Sequence, residues 1–166
     1  NLAIIPDNVV KNKMVFFYSE DDKPDFQIFS NSNFFVKRHF PNSKIKKKVV
    51  RCISISNFFK KNFIKKIDFL SLDIEGMDFD VLYNLDLKKF TIKNISFEHL
   101  HLSFWQKIKI IKKFVKNKYF FSGMGFDIRK SDWMFTKNYT KRKITTYLLP
   151  FTPRRIWKNY LFSEFF

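Results

Sequence analysis

Ile67-Asp68-Phe69-Leu70-Ser71-Leu72-Asp73-Ile74-Glu75-Gly76-Met77-Asp78 runs from a short apolar segment into an acidic turn, and Val81, Leu82 and Leu85 then share one helical stripe. The near-continuous apolar character of Ile67 to Asp73 predicts a central parallel strand covered on both faces. After Gly76 the spacing of apolar residues changes from that of a strand to that of a helix. Asp78 falls in the first helical turn, where a carboxylate meets the positive end of the helix dipole. The stretch therefore reads as strand, acidic turn, helix.

The same unit recurs downstream. Asn94 to Phe97 predicts a second buried strand, closed by Glu98-His99. Ser103 and Gln106 form the capping-box pattern of a helix start. Phe104, Ile108, Ile111 and Val115 then mark an inward stripe of about four turns, with Lys107, Lys109, Lys112, Lys113 and Lys116 pointing elsewhere. Tyr119 to Phe121 and Trp133 to Thr136 read as two aromatic strands, whose short link suits an antiparallel pair at a sheet edge. Upstream, Met14 to Tyr18 and Val49 to Ile55 read as strands, and Ser19 to Ser43 as a long irregular connection. Asn57 to Phe63 fits one or two helical turns burying Phe58, Phe59 and Phe63. Alternating strands and helices imply an α/β fold with a mostly parallel sheet, right-handed crossovers and an antiparallel C-terminal hairpin.

With 166 residues, 45% of them hydrophobic and 20% aromatic, the chain supports one domain with a real core and is not disordered. It opens on Asn1, no signal peptide is expected, and no apolar run approaches the roughly 20 residues that span a bilayer. The lone Cys52 forms no internal disulfide, which fits a cytoplasmic setting. A net charge of +17 points to polyanions, but the 26 lysines against 6 arginines point elsewhere. Lys, Phe, Asn and Ile all have A/T-rich codons, and Arg, the better bidentate reader of phosphate and guanine, is scarce. Nucleic acid is thus not the expected partner.

In open α/β sheets ligands bind beyond the carboxyl ends of the strands. Two strands bring acids there: Asp73 and Glu75 from one, Glu98 and His99 from its expected neighbour. Such groups orient a hydroxyl nucleophile, accept its proton or hold a cation. The competing reading makes Asp73 and Glu75 caps of the next helix and pairs Glu98 with a lysine. His101 is a further polar residue nearby, more at home in a structural role. No Cys/His spacing gives a zinc site, and no phosphate loop or nucleophile elbow occurs.

The stretch from Ile67 to Asp78, followed by Val81-Leu82, resembles the signature of the FkbM family of methyltransferases. In that family a strand ends in Asp-(Val/Ile)-Glu-Gly-x-Glu and the next helix carries a Val-Leu pair. Ser96-Phe97-Glu98-His99 is similar to the family's next strand, and Asp132-Trp133-Met134-Phe135 to its final hairpin. Asn1-Leu2-Ala3-Ile4 with Phe16-Phe17-Tyr18 is similar to the preceding segment. The likeness spans most of Asn1 to Asn138. It implies a Rossmann-like methyltransferase fold and S-adenosyl-L-methionine as cofactor. The reaction implied is methyl transfer to a hydroxyl, often of a sugar or lipid-linked glycan, so that the partner is a small-molecule or glycan acceptor. It also implies roles: Asp73 nearest the transferred methyl, touching the cofactor as positioner or base, with Glu75 and Glu98 on acceptor hydroxyls or fixing the turn. Asp78 departs from the family's Glu. The family's first strand, with its Gly-rich turn, and the acid closing its second strand have no counterpart, since no glycine precedes Gly76. The N-terminal cofactor-binding strands are thus expected to be missing, and this fragment to be inactive alone.

Residues 1–140 are read as the C-terminal portion of the domain and 141–166 as a basic aromatic tail. Lys141-Arg142-Lys143, Arg154-Arg155, Trp157, Tyr160 and Phe162 suit either a packed terminal helix or peripheral contact with the anionic inner membrane surface. Two alternatives stand beside the methyltransferase. A metal-dependent glycosyltransferase would show metal-dependent action on nucleotide-sugars. A basic nucleic-acid-binding module would show steeply salt-dependent binding to oligonucleotides.

Overall fold

The computed structural model describes residues 2–21, 28–124 and 132–137. In chain order the elements are β1 (Leu2–Ile5), β2 (Lys13–Ser19), α1 (Asn33–His39), β3 (Ile45–Ser54), α2 (Ile55–Lys61), β4 (Lys66–Leu72), α3 (Asp78–Asn84), β5 (Thr91–Glu98), α4 (Phe104–Lys116), β6 (Phe120–Met124) and β7 (Asp132–Thr136). The strands form two sheets, ordered β1-β3-β2 and β4-β5-β7-β6. Two compact units result: Asn1–Ile67 with Leu72–Thr91, and Asp68–Ser71 with Ile92–Phe166.

In the first unit β3 alternates as a half-covered strand must. Val50 and Cys52 turn inward, while Val49 and Arg51 face solvent. They meet Ile5, Phe16 and Met77 in a core flanked by Ala3, Val9, Met14 and Ile74. Ser54 caps α2 by accepting from the Asn57 N–H, and Asp7 accepts from both the backbone N–H and the hydroxyl of Ser56. The connection read as irregular holds α1, capped by Ser32. Its single buried residue, Val36, leaves no period to read.

The second unit has an aromatic core. Phe97 stacks on Phe135 with centroids 6.1 Å apart, and Phe114 meets Phe135 edge-on at 4.7 Å. Tyr119 donates to the Ile92 carbonyl at 2.7 Å, and burial pushes its hydroxyl up to about 12. The Ser103–Gln106 capping box is formed on both sides, as the pattern predicted.

Four expectations need correction. The sheet is not mostly parallel: β1–β3 is parallel, but β2–β3, β5–β7 and β6–β7 are antiparallel. Despite the long excursion between them β3 runs antiparallel beside β2, and β7 slots between β5 and β6. The antiparallel C-terminal pair was correctly anticipated. Second, β4 neighbours β5 as expected but stands first in its sheet, not at the centre. Phe69 is half exposed and only Leu72 is buried, because an apolar run alone does not distinguish an edge from a core strand.

Third, the inward face of α4 is Ile110, Ile111, Phe114 and Val115, with Phe104 exposed and Ile108 only half-buried. The covered stripe begins a turn later, at Lys107, whose stem lies along apolar surface with its ammonium over the Trp133 ring. Fourth, of the three phenylalanines assigned to the face of α2, only Phe59 is buried; Phe63 is 90% exposed. The boundary at 140/141 and the whole tail lie outside the described residues.

Candidate active site

The turn after β4 is built from backbone conformations that few residues adopt. Glu75 (φ 50°) and Gly76 (φ 95°) are consecutive left-handed residues. Glycine takes that region freely; a glutamate does so at a cost. Phe35 lies 3.6 Å from where a Cβ on Gly76 would stand, so the dihedral angle, not space, demands the glycine. The turn is pinned from below. Ser30, itself buried, donates its hydroxyl to the Glu75 carbonyl at 2.9 Å, and Ser30 exchanges two backbone hydrogen bonds with Phe17.

The N-cap position of α3 is Met77, with no side-chain capping bond, so neither Asp73 nor Glu75 occupies the capping position. Asp73 is exposed at the carboxyl end of β4, and Glu75 is half-buried.

The residue undervalued by the sequence reading is Asp78. Its side chain is not on the solvent side of the first helical turn but 2% exposed. Burial, foremost, and the nearby charge of Asp73 push its pKa up to about 6, against the pull of the Asp78, Ile74 and Gly76 backbone N–H groups. Its Oδ1 makes no hydrogen bond among the described residues. The one available signal was its place two residues after Gly76, where the turn folds back over the strand end.

In the second unit β5 delivers Glu98, whose backbone registers with Asp132 of β7. The Glu98 carboxylate pairs with His101 Nε2 at 3.0 Å, both side chains mostly covered. His101, given a structural role above, is thus the imidazole that Glu98 engages. His99 is 8% exposed, with its ring stacked on Trp133 at 4.6 Å and 11°. The Lys107 ammonium lies 5.7 Å from the same indole, and burial lowers its pKa. Asp73 and Glu75 therefore belong to one unit, Glu98 and His99 to the other.

Among the described residues no three His, Cys, Asp or Glu side chains are grouped to hold a metal ion. No described helix is long and apolar enough to cross a membrane. Neither the curated proteins nor the solved structures compared with the chain give a match. The family model for the methyltransferase FkbM domain, however, matches residues 7–129, which takes in β2 to β6 and both acidic strand ends. On the strength of that match over most of its length, the chain belongs to the FkbM methyltransferase family.

Proposed function

We propose that this methyltransferase uses S-adenosyl-L-methionine to methylate a hydroxyl of a sugar or glycan, with Asp73 beside the transferred methyl. The observation that carries the reading is the acidic turn 73–78, inside the family match, where an exposed carboxylate sits within electrostatic reach of a buried one. An ionisable group pushed up by burial, with an oxygen left open, is the kind of group functional sites retain.

The residues fit part of the cofactor. Its sulfonium needs nearby negative charge, which Asp73 offers. Its methionine end needs a tight glycine turn, and no glycine precedes Gly76. That turn would have to come from chain outside these 166 residues.

Bound cofactor supplies a methyl group already activated on sulfur. The protein's share is then to align the hydroxyl oxygen, bring it close and take its proton as the carbon–oxygen bond forms and the carbon–sulfur bond breaks. Asp73 is the base or positioner in this scheme, and Glu75 of the same turn is the candidate beside it for holding hydroxyls. A cytoplasmic setting completes the proposal.

Titration calorimetry with S-adenosyl-L-methionine tests it on this chain and on one extended upstream by a glycine-rich strand turn. The extended chain should bind and the present one bind weakly or not at all. Tight binding by the 166 residues alone would show the cofactor site to be misplaced. No binding by either would remove the cofactor from the reading.

A further inference from the structure

The end of α2 is closed by a Schellman turn: Ile64 N–H donates to Phe59 C=O at 2.8 Å and Phe63 N–H to Lys60 C=O at 3.1 Å. Phe63 occupies the left-handed position of that turn, at φ 56°, which glycine or asparagine fills most easily. The same turn ends α4, with Lys118 at φ 63°. There the strained residue is a lysine, at home in water. Phe63 combines backbone strain with a ring that is 90% exposed. A conformation that is costly on two counts is a reason to look for what it serves.

Beside it lies a cavity of about 580 Å³. Phe59 and Phe90, edge to face at 5.0 Å and both buried, make an apolar floor, continued by Phe63 and Ile64. A hydrogen bond from Thr91 N–H to Lys65 C=O at 2.9 Å ties its walls together. The remaining lining is cationic: Lys60, Lys65, Lys66 and Lys89, with no carboxylate among the lining residues. Lys89 pairs with Asp86 at 3.3 Å; among the described residues no carboxylate pairs with Lys60, Lys65 or Lys66. The volume is that of a small-ligand site. An apolar floor under a ring of ammonium groups matches a molecule with an apolar body and a negative head.

We infer that this cavity binds an anionic amphiphile, its chain against Phe59, Phe63, Ile64 and Phe90 and its phosphate or carboxylate on the lysines. The assignment is independent of the methyl-transfer reading. It accounts for an exposed phenylalanine in a strained position, because the ring becomes covered when the ligand is bound.

The test uses the full chain and decyl phosphate below its micellar concentration, followed by calorimetry. A second arm measures sedimentation with vesicles of neutral lipid, with and without an anionic phospholipid. Phe63→Asn keeps a left-handed turn, and a triple change of Lys65, Lys66 and Lys89 to Gln keeps the floor. Each should weaken decyl phosphate binding at least about tenfold while the melting temperature holds. Binding of the free amphiphile without vesicle capture assigns a soluble ligand. Capture by anionic vesicles that is lost in the same variants assigns a membrane lipid. Absence of binding in both arms, equal binding of uncharged decyl maltoside, or variants that bind like the parent would each overturn the inference.

Discussion

Replacing Asp78 by Asn should stabilise the protein at neutral pH and cease to do so in acid. The Asp78 carboxyl is 2% exposed and its pKa is pushed up from 3.8 to about 6. For a raised carboxyl the sign runs against the usual case. The folded state prefers the proton, so ionisation costs stability fully above the folded pKa, and the cost disappears below the unfolded value. A displacement of about 2 pK units corresponds to about 3 kcal/mol at pH 7, each unit being worth about 1.4 kcal/mol. At pH 4 only about 0.5 kcal/mol of it remains. An amide nitrogen without an acceptor costs the variant about 1–3 kcal/mol at every pH, so the absolute gain at pH 7 is small. The change with pH is the cleaner quantity. Between pH 4 and 7 the stability of the variant relative to the parent should rise by about 2 kcal/mol, or about 4–8 °C in melting temperature for a chain of this size. Urea unfolding of both proteins across that range measures it, and the difference cancels carboxylates common to both, such as Glu20, Asp68 and Asp86. A variant-minus-parent difference that stays flat from pH 4 to 7 would refute the buried, proton-seeking Asp78.

Asp73→Asn in a cofactor-competent form of the enzyme should lower turnover by about a hundredfold or more, the usual scale for a positioned acid–base group, with melting unchanged. Near-normal turnover with unchanged melting would leave Asp73 a structural residue and move the assignment to Glu98. Ser103→Ala removes one half of the capping box of α4 and should cost about 1 kcal/mol, seen as a drop of about 2–4 °C in melting temperature. No loss would show that packing of Ile110, Ile111, Phe114 and Val115 alone holds that helix end.

The strand–acid–helix units were legible because β4 and β5 each end where a carboxylate follows an apolar run, and the switch in period at Gly76 is local. The capping box was equally readable, being a matter of two residues three apart. What escaped depends on partners far along the chain. Nothing near Ile67 says that the strand will stand first in its sheet, and nothing near Asp132 says that β7 will lie between β5 and β6. The face of α4 was misjudged because Phe104 and Trp105 are apolar yet exposed, whereas the stem of Lys107 is covered. Type and place along the chain single out the acids in sequence; burial, which the sequence does not show, sorts them. Asp78 reads from sequence as a surface dipole partner and is instead enclosed. His99 reads as a polar group at the strand end and is stacked on Trp133, while His101 takes Glu98.

Among the described residues β4 is the outermost strand of its sheet, which has a consequence for how this protein behaves in concentrated solution. A strand at the end of a sheet displays backbone donors and acceptors that another molecule's strand can zip onto, and an exposed Phe69 makes the meeting stickier. Asp68 precedes that phenylalanine in the strand, and Lys93 holds it in an ion pair on the surface. These side chains act as gatekeepers against edge-to-edge polymerisation. Salt that screens them leaves the phenylalanine and the open backbone to set the outcome, so that colloidal shelf life falls as ionic strength rises.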